Sequence, residues 1–260
     1  MGITELIPGV SSATIAMILG IYERFILALN SLTTREWKNQ LGFLIPLGMG
    51  IGTALVCFSR VISWLLDTYP QPTLTFFLGL ILGMIPFLLK SIAFQTNFQP
   101  IHYILLIFSS LLVASTALVG EQHPVKVMTH LSTKEYILLF VSGWLASSLM
   151  VLPGISGALV FLILGVYPTV LHALESLNLF IILAVGTGVV TGALITSKII
   201  RYLFFHFQVG TYAVMIGLIL GSSVVIYPGG PWTVPLLWTS CFTFFMGLLI
   251  AIRLGRIRES

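Results

Sequence analysis

One apolar motif occurs twice in this chain, with the two copies 145 positions apart. The first reads LIPGVSSATIAMILGIYE from Leu6 to Glu23, and the second reads LPGISGALVFLILGVYP from Leu152 to Pro168. Each carries Pro-Gly-x-Ser inside an apolar stretch. Proline lacks a backbone donor and glycine tolerates unusual dihedral angles, so each copy predicts a helix that breaks and restarts. Broken helices at corresponding places in two halves are typical of carriers whose site lies between the halves.

The composition places the chain in a lipid bilayer. Hydrophobic residues make up 57% of it and charged residues 8%, with a mean hydropathy of +1.07. A soluble domain carries roughly 25% charged residues. We therefore expect a single integral membrane domain over residues 1–260. The two cysteines, Cys57 and Cys241, lie in apolar runs without disulfide or metal-ligand spacing, and we expect no cofactor, no metal and no catalytic residue.

The repeat extends beyond the motif. GMGIGTALVCFSRVISWL from Gly48 aligns with GTGVVTGALITSKIIRYL from Gly186, at a spacing of 138 positions. Further matches at this spacing are Arg60 with Lys198, Gly79 with Gly217 and Gly83 with Gly221. The sequence thus predicts two halves of one fold, with repeat 1 at about 1–120 and repeat 2 at about 134–258.

The apolar runs predict an all-α polytopic membrane protein. Each half consists of a re-entrant or broken-helix hairpin followed by three spanning helices, and three crossings give the two repeats inverted topologies. The hairpins are predicted at Ile3–Leu19 and Tyr136–Val166, and the spanning helices at Leu41–Leu66, Leu74–Leu89, Ile101–Val119, Leu177–Phe205, Tyr212–Ile226 and Val234–Ile252. The second hairpin has an apolar arm before its proline, whereas the first has only seven residues. A matching arm upstream of Met1 is one explanation.

The charges orient the predicted helices. One face collects Arg24, Arg35, Lys38, Lys90, Arg253, Arg256 and Arg258. The positive-inside rule assigns this face, and with it the C-terminus, to the cytoplasm. The first hairpin then opens inward and the second outward.

The residues around the two breaks are the first candidate site. They are Pro8, Gly9, Ser11 and Ser12 in the first copy, and Pro153, Gly154, Ser156 and Gly157 in the second. A helix that restarts inside the membrane presents free N–H groups and a positive dipole end, an arrangement that binds phosphate. The competing interpretation is a packing kink in which serine serves only as a local cap.

Charged residues in apolar surroundings are the second group of candidates. Arg60 and Lys198 occupy equivalent places late in long helices, and inversion would put one near each face of the membrane. Arg201 lies one turn beyond Lys198. These cations either bind an anion or simply extend to the headgroup region. Glu5 precedes the first break and is a candidate for proton coupling or polar pairing, unless it lies in water near the chain terminus.

Taken together, these motifs resemble the PopT-type polyprenyl-phosphate translocases, long described only as a membrane domain of unknown function. The resemblance covers essentially the whole chain. The family typically has PGVSGGT in its first copy, so Ser12-Ala13 departs from the usual Gly-Gly. The resemblance implies a bacterial cytoplasmic-membrane protein that returns undecaprenyl phosphate from the outer to the inner leaflet, for recycling in envelope glycan synthesis. The motif residues named above carry over by position.

Two other functions stay open. Undecaprenyl-pyrophosphate phosphatases share a Pro-Gly-x-Ser-Arg-Ser motif, but here Ser12 and Gly157 stand at the arginine position and no Glu-x-x-x-Glu pair accompanies them. Phosphoryl transfer would then lack charge stabilisation, so we do not expect an enzyme. A secondary carrier for a small anion is the other alternative. The expected partners are a polyprenyl-phosphate lipid and the membrane, with no nucleic acid; homo-oligomerisation and coupling to a proton or ion are left open.

Overall fold

The structure, a computed structural model, describes residues 1–5, 10–35, 37–118, 128, 132–176 and 178–257. In these parts of the chain every regular element is helical. The helices of the first half are α1 (Gly2–Glu5), α2 (Ser12–Ile18), α3 (Tyr22–Ser31), α4 (Trp37–Thr68), α5 (Pro70–Leu82), α6 (Ile85–Ser91), α7 (Phe94–Asn97) and α8 (Pro100–Ser115). Those of the second half are α9 (Thr133–Val151), α10 (Gly157–Ile163), α11 (Tyr167–Glu175), α12 (Leu179–His206), α13 (Gln208–Ile226) and α14 (Val234–Ile257).

Among the described residues, five helical segments are long and apolar enough to cross a membrane, and two bent helix pairs raise this number to as many as seven. Large apolar side chains point outward from them: Val56, Phe180 and Phe205 are 79%, 76% and 85% exposed. Surfaces of this kind suit contact with lipid rather than water. The chain is therefore an all-α, multi-pass membrane protein, as predicted. The inverted topology of its halves stays a prediction.

Each motif continues into a second helix that the apolar runs did not indicate. After α2 the chain turns at Gly20 into α3, and the axes of the two helices differ by 119°. After α10 it turns in the same way at Gly165 into α11. Both glycines have a φ of 71°, a left-handed conformation that favours glycine. Sequence reasoning missed α3 because Glu23 and Arg24 interrupt its apolar pattern.

Helices of the two halves pack against each other in two matching pairs. Helix α5 packs on α14, and α13 packs on α8. A Cβ atom added at Gly79 on α5 would collide with the Phe244 carbonyl of α14. At the repeat-related Gly217 on α13, it would collide with the Leu106 carbonyl of α8. The repeated glycines thus allow close approach of two backbones, as small residues do in membrane helix pairs.

The long helices α4 and α12 differ in how they are covered. Helix α9 lies along α12, where a Cβ atom at Gly188 would collide with the Phe140 carbonyl. The repeat-related Gly50 on α4 has no atom within 4 Å of such a Cβ position. Helix α1 contacts α4 further along, where a Cβ atom at Gly2 would lie 2.7 Å from that of Ala54. The glycine face is therefore covered on α12 and open on α4.

The described part of the first motif belongs to the largest apolar cluster. Val10, Ala13 and Ala16 are at most 1% exposed, and they belong to one cluster with side chains of α3, α5, α6 and α13. The polar residues of this segment are buried as well, with Ser11 at 3% and Thr14 at 1%. Buried hydroxyls need hydrogen-bond partners. Their partners decide the geometry of the site.

Candidate functional site

The second Pro-Gly break interrupts the chain between α9 and α10. Helix α9 ends at Val151, and Pro153 and Gly154 are both buried. Gly154 has a φ of 93°, and a Cβ atom there would lie 2.6 Å from the Leu218 carbonyl of α13. A side chain is excluded by backbone conformation and by space. Glycine at this position therefore allows the backbone of the broken segment to contact the backbone of α13 directly.

The serines that follow the breaks have the same backbone conformation in both copies. Ser11 precedes α2 with φ and ψ of −90° and 132°, and Ser156 precedes α10 with −89° and 131°. Ser12 and Gly157 are the first helical residues. Neither serine side chain caps its own helix. Pro8 and Gly9 lie outside the described residues, so the structure defines the first break only on its C-terminal side.

The start of α2 lies against the second break. The Gly154 N–H donates to Thr14 Oγ1 at 2.9 Å, and Ser11 Oγ donates to the Leu152 carbonyl at 3.4 Å. Tyr22 donates its hydroxyl hydrogen to the Val151 carbonyl at 2.9 Å. Backbone groups released by the break in the second motif are thus satisfied by side chains of the first motif. The two copies form one connected polar site inside an apolar core.

Sequence reasoning did not identify Thr14 and Tyr22 as part of this site. Tyr22 had a signal, because it recurs as Tyr167 in the second copy. Thr14 had none, because Leu159 occupies its place in the second copy. Only the packing of α2 on the second break assigns Thr14 a partner.

The three basic residues that were predicted as candidate anion ligands lie on exposed surfaces, and not among the buried residues of the breaks. Arg60 is exposed on α4, and Lys198 and Arg201 are exposed on α12. Arg60 and Lys198 each lie eight positions before the last residue of their helix, Thr68 and His206. At 1.5 Å per residue this is about 12 Å from the end of each helix.

Glu5 and Glu23 lie on either side of α2 in the sequence. Glu5 is the last residue of α1, and its side chain lies outside the described residues. Glu23 accepts a hydrogen bond from the Tyr212 hydroxyl at 3.3 Å. Arg24 lies over the ring of Phe43, 4.7 Å from its centroid. Glu23 therefore connects α3 to α13.

Two cavities adjoin the second motif. One of about 240 Å³ lies beside α10 and is lined by Ser147, Gly157 and Tyr167, among other residues. The other, of about 760 Å³, reaches Leu152 at the break and extends between α8, the end of α12 and the start of α13. The larger cavity has an apolar floor and a polar rim, which suits an amphipathic ligand.

Comparisons with known proteins agree with this architecture. A family model described as undecaprenyl phosphate translocase-like (VCA0040-like) matches residues 1–240. The chain belongs to this family. A relative from Staphylococcus aureus (strain NCTC 8325 / PS 47), named polyprenyl-phosphate transporter, is 39% identical and the match covers 99% of this chain and 93% of the relative. One of the same name from Vibrio cholerae serotype O1 is 34% identical, with 92% and 77% covered. No solved structure matches significantly.

Membership in the undecaprenyl phosphate translocase-like family confirms the resemblance drawn from the doubled motif. It also makes this chain a transporter rather than an enzyme. The described residues contain no group of three or more His, Cys, Asp or Glu side chains that could hold a metal ion.

Proposed function

We propose that this transporter carries undecaprenyl phosphate from the outer to the inner leaflet of the bacterial cytoplasmic membrane, for reuse in envelope glycan synthesis. The observation that carries the proposal is the contact of the two motif copies, in which Thr14 and Ser11 bond backbone groups of Gly154 and Leu152. A polar site at the junction of two repeated halves is where carriers of this kind bind their substrate. The names of the two relatives support the lipid substrate.

The phosphate is proposed to bind at the N-termini of the two motif helices. Its candidate ligands are Ser11, Ser12, Ser156 and the backbone from Gly154 to Gly157, with Pro8, Gly9 and Pro153 shaping the breaks. A phosphate monoester carries a charge of about −1.5 to −2 at neutral pH, and its transfer through hydrocarbon is prohibitive without compensation. In this structure Thr14 Oγ1 accepts the hydrogen bond of the Gly154 N–H. Phosphate binding there would exchange this hydrogen bond for one to the ligand.

The exposed cations are proposed to act at the two ends of the path. Arg60 would attract the phosphate at one membrane face, and Lys198 with Arg201 at the other. Glu5, next to the first break, is the proposed partner for a proton or a basic group. The isoprenoid tail stays in lipid while the headgroup crosses.

An inverted repeat would supply the alternating access that this function requires. The matching packing of α5 on α14 and of α13 on α8 supports such a relation between the halves. With the basic face in the cytoplasm, the C-terminus is cytoplasmic and the hairpins open to opposite sides.

The direct test is leaflet exchange of labelled undecaprenyl phosphate in proteoliposomes containing the protein. We expect exchange in the wild type and a loss of at least about tenfold in Arg60→Ala and in Lys198→Ala, since a hydrogen bond to a charged group contributes roughly 1.5–3 kcal/mol. Arg253→Ala is the matched control, because Arg253 is another exposed cation, on α14. The double variant Ser11→Ala with Ser156→Ala should weaken phosphate binding.

Three results would contradict the proposal. A folded protein without exchange indicates a carrier for a small anion. Release of inorganic phosphate from a lipid pyrophosphate indicates the phosphatase. Full phosphate binding by the double serine variant argues against the helix-end site.

A further inference from the structure

The 760 Å³ cavity beside the second break is larger than the phosphate site needs. Its volume falls within the roughly 300–1,000 Å³ typical of pockets for organic ligands. Leu105, Leu152, Ile200, Leu203, Val214 and Met215 form its apolar part. A carrier for a small anion alone has no use for an apolar space of this size. The cavity therefore indicates a ligand with a substantial apolar portion.

The rim of the cavity is polar and contains two histidines from different helices. His102 belongs to the first turn of α8, and His206 is the last residue of α12. Gln208 follows at the start of α13 and also lines the cavity. Imidazole rings can donate hydrogen bonds to an anionic oxygen. An apolar floor below such a rim matches a phosphate ester of a hydrocarbon chain.

The hydrogen bonds of the two histidines define which ring nitrogens remain for a ligand. His102 Nδ1 accepts from the Gln99 N–H at 2.9 Å, so in the neutral ring Nε2 carries the hydrogen. His206 Nδ1 lies 3.1 Å from the Tyr202 carbonyl, which can only accept, so Nδ1 carries a hydrogen. In both residues Nε2 is the atom not used by these bonds. His102 can donate from it as a neutral ring, and His206 when protonated.

Exposed apolar side chains also line the cavity, beside its polar residues. Ile101 and Phe207 line it and are 51% and 59% exposed. A hydrocarbon chain can therefore leave the cavity sideways into the bilayer core. The whole undecaprenyl chain is too large for a cavity of about 760 Å³, so only its first isoprenyl units would enter.

The part of the polar rim that α12 and α13 supply is not repeated in the first half. At the spacing of 138 positions, His206 corresponds to Thr68, Gln208 to Pro70 and Gly210 to Pro72. Prolines lack the backbone donors that α13 has at its start. This part of the rim thus lacks a repeat-related counterpart, whereas His102 comes from α8 of the first half.

We propose that this cavity binds the phosphate and the first isoprenyl units of a polyprenyl phosphate, with His102 and His206 as headgroup ligands. The inference rests on the proposed function and adds a loading site next to the breaks. Leu152 connects the two, since it lines the cavity and its carbonyl accepts the hydrogen bond of Ser11.

The test is binding of farnesyl phosphate to the full chain in detergent, measured by calorimetry beside farnesol and inorganic phosphate. His102→Asn and His206→Asn each keep a polar atom near the Nδ1 position and lose Nε2. We expect each to weaken farnesyl phosphate binding about tenfold, the effect of losing one hydrogen bond to a charged group, with farnesol binding unchanged. His172→Asn is the matched control, because His172 is exposed on α11 outside the cavity.

A second variant tests whether the ligand needs the volume of the cavity, independently of the two histidine side chains. A Cβ atom at Gly210 would lie 3.7 Å from Leu105 and 3.9 Å from His102, so Gly210→Phe can extend into the cavity without a backbone clash. We expect it to abolish binding of both farnesyl phosphate and farnesol. Gly186→Phe is its control, because no atom lies within 4 Å of a Cβ at Gly186.

Several outcomes overturn the assignment. Wild-type affinity for farnesyl phosphate in both histidine variants and in Gly210→Phe excludes the cavity while leaving the proposed function intact, provided that leaflet exchange of undecaprenyl phosphate persists. Inorganic phosphate that binds as tightly as farnesyl phosphate makes the rim a site for the free anion. A wild type that neither binds farnesyl phosphate nor exchanges undecaprenyl phosphate overturns both proposals.

Discussion

The two copies of the motif have the same local backbone but very different surroundings. The backbone dihedral angles of Ser11 and Ser156 agree within one degree, and both turns use a glycine at a φ of 71°. In the first copy, α2 is almost completely buried. In the second, α10 exposes Leu162 and Ile163 by 49% and 46%. The sequence of a motif thus determines its shape, whereas its contacts depend on which helices pack around it.

The difference extends to the hydrogen bonds between the two copies. The first copy supplies side chains that bond the second break, but among the described residues no side chain of α10 or α11 is bonded to the first copy. The two motifs therefore contribute unequally to the contact between them. Matched substitutions at repeat-related positions can measure this inequality.

The largest difference is expected for Ala13→Leu and Ala158→Leu, which lie 145 positions apart. Ala13 is 1% exposed in the core, and three added carbon atoms overfill a closely packed space. We expect a loss of about 3 kcal/mol in unfolding free energy, the upper end of the overpacking range. Ala158 is exposed, so its substitution should cost little. Thermal unfolding in detergent measures both, and equal losses would mean that α2 and α10 are equally enclosed.

A smaller effect is expected for Thr14→Val. The variant keeps the shape of the side chain but leaves the buried Gly154 N–H without its partner, which costs about 2 kcal/mol. Thr14→Ser retains the hydroxyl and is the control. Denaturant titration should show Thr14→Ser close to the wild type. If valine and serine proved equally stable, the hydrogen bond between the two motifs would have no role in stability.

At the two glycine turns we expect no difference in stability loss between the two copies. Gly20→Ala and Gly165→Ala both force a side chain into the left-handed region, at roughly 1–2 kcal/mol each. Because the backbone conformation is the same, the two losses should agree. Unequal melting shifts would show that the surroundings, and not the turn itself, dominate the cost.

The smallest effect is expected for Tyr22→Phe against Tyr167→Phe. The Tyr22 hydroxyl donates to the Val151 carbonyl, and its loss should cost about 1 kcal/mol. Tyr167 is half-buried, and no hydrogen bond of its hydroxyl to a described residue is present. Phenylalanine there should be neutral in the same unfolding measurement. A comparable loss at Tyr167 would point to a partner in the second copy.

Much of the fold could be predicted from the sequence, because the lipid bilayer restricts which segments can cross it. A spanning segment must be long, apolar and helical, since a bilayer offers no hydrogen bonds to an exposed backbone. The apolar runs therefore located the long helices, as at α12 and α13. They missed α3 and α11, where charged residues or proline interrupt the pattern although the helices form.

The sequence by itself determined the doubled break, its cap and turn conformations, and the membership of the chain in its family, because these depend on local residue types and their order. Only the tertiary structure decided that Thr14 bonds Gly154, that α2 is central while α10 is peripheral, and that a cavity with two histidines opens beside Leu152. The hydrogen bonds between the motifs join residues more than 100 positions apart. Their geometry depends on the packing of whole helices, which no local pattern specifies.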